Sequence, residues 1–362
     1  MATPVRYEQS PLKIDYSDKN LVRMNLNENI VMPLSRIRSI IAKCADLLDT
    51  RFYTSELGEG EMLTLTEEIA RYSGCSKHSV GIGSGSDQVL DLILRMKLDT
   101  DQRRIVTVDP SYSMYPVLAS RLGAKLDYVK LEPSTDYNPF SLDTQRLIKA
   151  SRNAQIVVLA SPNNPTGIQY PMEDIQTIAE SLPDVAIIID EAYLEYARYS
   201  AAKLLSKHRN LLIARTFSKA FGMANLRLGY LISSDVEFIE KYTNDFQYPY
   251  PVGGFAVLMA IELLRRKSMI IEYAEKTKIY RLELEQSLTK LGFTVIPKSD
   301  ANFVLLKSRD SRAIAENLLQ KYAIAVKYIP KLGVEGQFIR ITVGSREINE
   351  KLLYSLKRII SK

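Results

Sequence analysis

The chain has 362 residues, of which 46% are hydrophobic and 25% charged, with a net charge of +6. That suits a soluble globular protein, either of two domains or of one large α/β domain with a smaller appendage. No apolar run approaches the roughly 20 residues of a membrane helix, the basic residues are too scattered for nucleic-acid binding, and His78 and His208 are too few for a metal site.

Both histidines lie in polar surroundings and read as surface residues. The opening MATPVRYEQSPLKID lacks an apolar stretch of the length export requires. The expectation is a cytoplasmic protein with Cys44 and Cys75 reduced.

In chain order, a helix starting near Thr64 is followed by VGIGSGSDQ and a helix-like stretch over 86–97. Short apolar runs at 105–108, 156–160, 185–189, 211–214 and 228–232 read as buried parallel strands. Between them, 115–122, 171–181 and 201–207 read as helices. Such alternation predicts a doubly wound α/β layer.

The turn-rich YPYPVGG then marks a change of organisation. A long helix over 255–291 is expected after it, then strands at 293–296 and 302–306 and a helix at 312–321. Strands at 323–328 and 338–343 and a helix at 348–360 complete a smaller α+β unit. The expected division is an N-terminal arm over 1–30, a large domain over 31–248 and a small domain over 249–362.

Ligands of open parallel sheets sit beyond the carboxyl ends of the strands, so the residues after each apolar run carry the functional reading. The turn Gly83-Ser84-Gly85-Ser86-Asp87 opens a helix and offers backbone N–H groups to an anion. It is not the dinucleotide fingerprint, which would need a glycine at Ser86. Tyr112 follows the next strand and could stack on a flat ring or simply pack in its loop. Asn164 lies in the turn SPNNPTG, either as a ligand donor or as ordinary turn chemistry. Asp190 follows an apolar run, where a carboxylate is unfavourable unless it meets a cation or a proton, and Tyr193 is three residues on. Ser218 and Lys219 follow the last run, with Arg227 close behind.

A buried acid, a poised amine, a phenol and an anion cup together fit pyridoxal phosphate. The chain resembles the fold-type I pyridoxal-phosphate aminotransferases, and among them most the histidinol-phosphate aminotransferase family. The matching pieces, in family order, are NLNEN, RFY, GSGSD, PSYSMY, SPNNPTG, DEAYLEY, TFSKAFGMANLRLGY and RITVGSRE.

The resemblance implies a large domain with a mainly parallel doubly wound sheet and a smaller α+β C-terminal domain. It implies pyridoxal 5'-phosphate as cofactor, with Lys219 attached to it covalently and acting as general base. Asp190 would hold the ring nitrogen protonated, Tyr193 and Asn164 would contact the ring oxygen, and Tyr112 would stack on the ring. Ser86, Asp87, Ser218 and Arg227 would surround the phosphate, with Tyr53 reaching the cofactor of a second subunit in a homodimer. Arg340 would grip the substrate's anionic group, with Lys327 and Asn27 also on the substrate side.

The implied reaction passes the amino group of histidinol phosphate to 2-oxoglutarate, in histidine biosynthesis. Aromatic or other amino acids as donors, or a threonine-phosphate decarboxylase-like reaction, are the alternatives within the fold. A nucleotide-binding α/β protein is the alternative outside it. Two pieces depart from the family pattern. Lys327 in YAIAVKYIP stands where an arginine is usual, and YEQSPLKID, with Tyr7, only loosely echoes the N-terminal substrate segment.

Overall fold

The computed structural model describes residues 5, 11–98, 102–133 and 140–361. Among these the chain begins with β1 (Val22–Met24), α1 (Leu34–Leu47), α2 (Gly60–Ser73), β2 (Val80–Gly83), α3 (Gly85–Lys97), β3 (Arg104–Asp109), α4 (Met114–Arg121) and β4 (Lys125–Lys130). It continues with α5 (Thr144–Ser151), β5 (Ile156–Ala160), α6 (Met172–Ser181), β6 (Ala186–Asp190), β7 (Leu211–Thr216), β8 (Gly229–Ser233) and α7 (Val236–Lys241). The last part holds α8 (Gly254–Arg265), α9 (Lys267–Lys290), β9 (Thr294–Ile296), β10 (Phe303–Ser308), α10 (Ser311–Tyr322), β11 (Ile324–Ile329), β12 (Gln337–Thr342) and α11 (Arg346–Ile360).

Among the described residues, seven strands form one sheet in the order β2-β8-β7-β6-β5-β3-β4, and five form another in the order β1-β11-β12-β10-β9. The central strands IVVLA, AIIID and LLIART are buried at every position, as a sheet covered on both faces requires. Alternation divides them: Val157, Leu159, Ile187, Ile189 and Ile213 enter one apolar layer, and Ile156, Val158, Ile188, Leu212 and Ala214 the other. Each such Val, Leu or Ile side chain stabilises the fold by roughly 1.5–3 kcal/mol. Because β3, β5, β6 and β7 run parallel, Asp109, Ala160, Asp190 and Thr216 end on one edge of the sheet.

Several expectations need correction. The run at 228–232 is a strand but not a parallel one, since β8 is antiparallel to β7 and to β2. The chain returns directly through the Phe217–Leu228 turn, where Phe217 N–H donates to Leu228 O, and no crossover helix intervenes. The helix expected at 201–207 is only a short 3-10 turn over Ala201–Leu204, because the chain re-enters the sheet at Leu211.

The helix expected over 255–291 is two helices broken at Arg266, whose backbone (φ −108, ψ 34) is not helical. The first, α8, is mostly buried, while α9 alternates charged and apolar residues. Strand β4 escapes the apolar-run criterion because KLDYVK is a half-exposed edge strand. Strand β1, only three residues long, lies within the expected N-terminal arm and pairs with β11 of the five-stranded sheet.

His208 is also not a surface residue. Its side chain is 9% exposed, with Nε2 4.0 Å from Glu180 Oε1, because the turn before β7 folds it inward. His78 is exposed. Cys44 and Cys75 are both free.

Candidate active site

A cavity of about 730 Å³ opens at the shared strand edge. Asp190 has the parity of Ile188, so its carboxylate points to the face covered by α3 and α4. It is 3% exposed there and accepts from Tyr115 Oη (3.2 Å) at Oδ2 and from Ala192 N–H (3.1 Å) at Oδ1. Burial pushes the Asp190 carboxyl up to about 7 and the nearby Asp87 adds to this. Tyr115, Ala192 N–H and Lys219 oppose it. Glu191, of opposite parity, meets Arg215 on the other face, where Arg215 Nε donates to Glu191 Oε2 at 2.9 Å.

Lys219 lies in the turn after β7, half-buried in the cavity, and its Nζ donates to Leu26 O at 2.9 Å. Enclosure by protein lowers its amine to about 8, chiefly by desolvation and next by the Arg340 charge. Arg227 pulls in the same direction, while Glu28 and Asp87 oppose. A substantial fraction is therefore neutral near physiological pH, as a nucleophile or proton acceptor needs.

The glycine-rich turn opens α3, a 13-residue helix with Asp87 in its first turn. Amides of a first turn have no intrahelical acceptor and carry the positive helix end. Arg227 has left-handed backbone (φ 49) and brings its guanidinium against this turn, with Nη2 3.2 Å from Asp87 Oδ2 and Nη1 3.4 Å from Ser218 Oγ. Gly85 (φ +78) is required for that approach, since a Cβ there would stand 2.6 Å from Arg227 Nη2. Ser218 Oγ also accepts from Thr216 Oγ1 at 2.9 Å. Tyr112 lines the same wall and donates to Asp87 Oδ1 at 3.2 Å.

Opposite, Tyr193 is buried and its Oη accepts from Asn27 Nδ2 at 2.9 Å. Lys219 Nζ lies 5.8 Å from the Tyr193 ring centroid. Asn27 (φ 55) is fixed by Thr342 Oγ1, which accepts from its N–H at 3.0 Å and donates to its Oδ1 at 3.3 Å. Arg340 on β12 donates to Asn164 Oδ1 at 2.5 Å and to Asn25 O at 2.8 Å. Lys327 on β11 is in register with Arg340 and also lines the cavity.

Ser86, Asp87, Tyr112, Asn164, Asp190, Tyr193, Ser218, Lys219, Arg227, Arg340, Lys327 and Asn27 thus all line one cavity. Tyr53 does not join them within this chain. It is 83% exposed and stacks on Tyr250 with centroids 4.7 Å apart. Tyr7 lies outside the described residues. Among the described residues no group of three or more His, Cys, Asp and Glu could hold a metal ion, and no helix is long and apolar enough to cross a membrane.

Sequence reasoning missed three groups. Tyr115 follows Tyr112 by three residues at the start of a helix, a spacing that puts two phenols near one site and was open to notice. The Leu26 carbonyl carries no side-chain signal. Lys331, beyond the end of β11, also lines the cavity.

Residues 22–356 match the family described as aminotransferase class I and II. Histidinol-phosphate aminotransferase 2 of Archaeoglobus fulgidus is 30% identical over 355 residues, covering 98% of this chain and 97% of that protein. Histidinol-phosphate aminotransferase of Acinetobacter baumannii is 31% identical over 350 residues, covering 94% and 92%. Among solved structures, histidinol-phosphate aminotransferase from Sinorhizobium meliloti in complex with pyridoxal-5'-phosphate aligns with a TM-score of 0.82 at 26% identity. That alignment covers 94% of this chain and 91% of the other.

Proposed function

The chain belongs to the class I and II aminotransferase family, and on that premise we propose that it is a pyridoxal-phosphate-dependent transaminase. Its amino donor is histidinol phosphate and its acceptor 2-oxoglutarate, and its products are imidazole acetol phosphate and glutamate. The observation that carries the reading is the convergence of Lys219, Asp190 and Arg227 on one cavity. The donor assignment is supported by the two relatives of that name, each matching nearly the whole chain.

The residues present fit the cofactor. The first-turn amides of Ser86 and Asp87, the Ser218 hydroxyl and the Arg227 guanidinium would form a cup for a phosphate, with Gly85 leaving room for the guanidinium. Asp190 is the buried acid that would face a ring nitrogen, Tyr112 would flank the ring, and Tyr193 with Asn164 would serve the ring oxygen.

When bound, pyridoxal phosphate supplies the electron sink that accepts charge from the donor's reacting carbon. The chain supplies the rest. Asp190, ionised, would hold a proton on the ring nitrogen. Lys219 Nζ would be the covalent anchor and, once the donor's amino group has displaced it, would take the proton from the donor's amino-bearing carbon, because its lowered pKa leaves neutral amine available. Arg340 and Lys327 orient the donor through its anionic group.

The working form is a homodimer in which Tyr53 reaches the partner's cofactor cup. The exposed aromatic residues Phe52, Tyr53, Tyr248 and Tyr250, of which Tyr53 stacks on Tyr250, support this. The compartment is the cytoplasm, in keeping with two free cysteines.

The test is a donor panel of histidinol phosphate, phenylalanine, tyrosine, aspartate and threonine phosphate with 2-oxoglutarate, scored for glutamate and for carbon dioxide. Glutamate formed fastest from histidinol phosphate without carbon dioxide is expected. Carbon dioxide from threonine phosphate, or preference for a phosphate-free donor, contradicts the donor assignment.

A further inference from the structure

The outer wall of the cavity carries more positive charge than cofactor binding needs. On β11, side chains alternate between faces: Val326 and Tyr328 enter the core of the five-stranded sheet, and Lys327 and Ile329 have the opposite parity. Lys327 is in register with Arg340, and Ile329 with Phe338. Two positions beyond Ile329, past Pro330, Lys331 reaches the rim and lines the cavity beside Lys327 and Arg340.

Like charges facing each other across an antiparallel pair are unfavourable, and a third cation nearby adds to the repulsion. Such a wall is suited to a ligand carrying more than one negative charge. The cofactor's phosphate has its own cup at Arg227 and the start of α3.

The segment after Lys331 returns close to the end of β3. Gly333, two residues after Lys331, lies against Asp109 at the end of β3, where a Cβ would stand 3.1 Å from Asp109 Oδ2.

The terminal nitrogens of Arg340 donate to Asn164 Oδ1 and Asn25 O, which fixes the plane of its fork. A planar fork matches a carboxylate or two oxygens of a phosphate, and the third terminal oxygen of a phosphate dianion lies outside that plane. A lysine is a mobile point charge that can follow the remaining oxygens.

We propose that Lys331 is a donor-specificity residue that, with Lys327 and Arg340, binds the phosphate of the amino donor. This rests on the reading of the donor as a phosphorylated amine. Lys331 contacts the outermost phosphate oxygens and sets the preference for a phosphorylated over a phosphate-free donor. The carboxylate of the 2-oxo acid is served by Arg340 and does not depend on Lys331.

The experiment is steady-state kinetics of the cofactor-loaded enzyme and its Lys331→Gln and Lys331→Arg variants, with histidinol phosphate, histidinol and 2-oxoglutarate. Inorganic phosphate serves as a competitive probe. In Lys331→Gln, KM for histidinol phosphate is expected to rise about tenfold, or about 1.4 kcal/mol. The inhibition constant of phosphate should rise in parallel, with kcat and KM for 2-oxoglutarate within about twofold of the parent. Lys331→Arg keeps KM near the parent value.

An unchanged KM for histidinol phosphate in Lys331→Gln overturns the assignment, as does an equal rise for histidinol or 2-oxoglutarate. If the parent enzyme turns over other donors but not histidinol phosphate, the donor reading itself fails and the assignment falls with it.

Discussion

Tyr115 Oη donates a hydrogen bond of 3.2 Å to Asp190 Oδ2, and both side chains are almost fully buried. With Ala192 N–H on the other oxygen at 3.1 Å, the carboxylate is held in one orientation. The phenol also favours the ionised form, opposing the burial that raises this acid. Tyr115→Phe therefore raises the Asp190 pKa further and frees one oxygen. Hydrogen bonds to charged groups contribute about 1.5–3 kcal/mol. Cofactor-dependent turnover should fall at least about tenfold, and spectrophotometric titration should show weaker cofactor binding. Turnover and affinity equal to the parent's contradict this role for Tyr115.

The raised pKa of Asp190 also has a consequence for stability. Its folded pKa of about 7 lies above the ordinary 3.8, so the folded state binds the extra proton. Its stabilising contribution is fully present below the ordinary value and is lost as pH rises through about 7. Asp190→Asn removes that loss. Calorimetry of the cofactor-free proteins should show the variant melting about 2 °C or more above the parent at pH 8, with a smaller gap at pH 5. The same variant should lose most cofactor-dependent turnover, because a neutral amide cannot face a cationic ring nitrogen. A variant less stable than its parent at pH 8 counts against the buried-acid argument.

Lys219 carries the opposite shift. Its amine, lowered to about 8 mainly by burial and then by Arg340, becomes neutral as pH rises through that value. The rate at which cofactor-free protein captures pyridoxal phosphate, followed by absorbance, should rise with pH and level off above about 8. Removing the neighbouring charge in Arg340→Ala should move the midpoint to higher pH. A rate still climbing steeply at pH 10 would indicate an ordinary solvated lysine.

Gly85 tests the anion cup. An alanine there must adopt φ +78 and place Cβ 2.6 Å from Arg227 Nη2. Left-handed backbone costs about 1–2 kcal/mol for a residue with a Cβ, and the guanidinium must withdraw. Affinity for the cofactor and for inorganic phosphate should both drop about tenfold, while far-ultraviolet circular dichroism stays the same. Undiminished phosphate affinity contradicts the cup.

The large sheet was legible because β5, β6 and β7 are unbroken apolar runs, and the polar residues at their ends pointed to the cavity. Less legible was whatever depends on partners distant in sequence. The antiparallel direction of β8 follows from a turn that returns directly to the sheet, and an apolar run carries no sign of direction. Strands β1 and β4 take their place from pairing with β11 and β3, since neither is an apolar run of its own. Within the site, Lys219, Asp190 and Arg227 were readable from side-chain chemistry. The Leu26 carbonyl that receives the Lys219 amine was not, because any residue supplies a carbonyl. Tyr53 was readable only through the family resemblance, and within one chain it faces solvent beside Tyr250.

The central claim is that Lys219 is the amine that holds the cofactor. Borohydride reduction of the pyridoxal-phosphate-loaded protein, followed by digestion and mass spectrometry, tests it most directly. The expected result is one modified peptide carrying the reduced cofactor on Lys219, absent from Lys219→Ala. A label on another lysine, or no label on protein incubated with the cofactor, contradicts the claim.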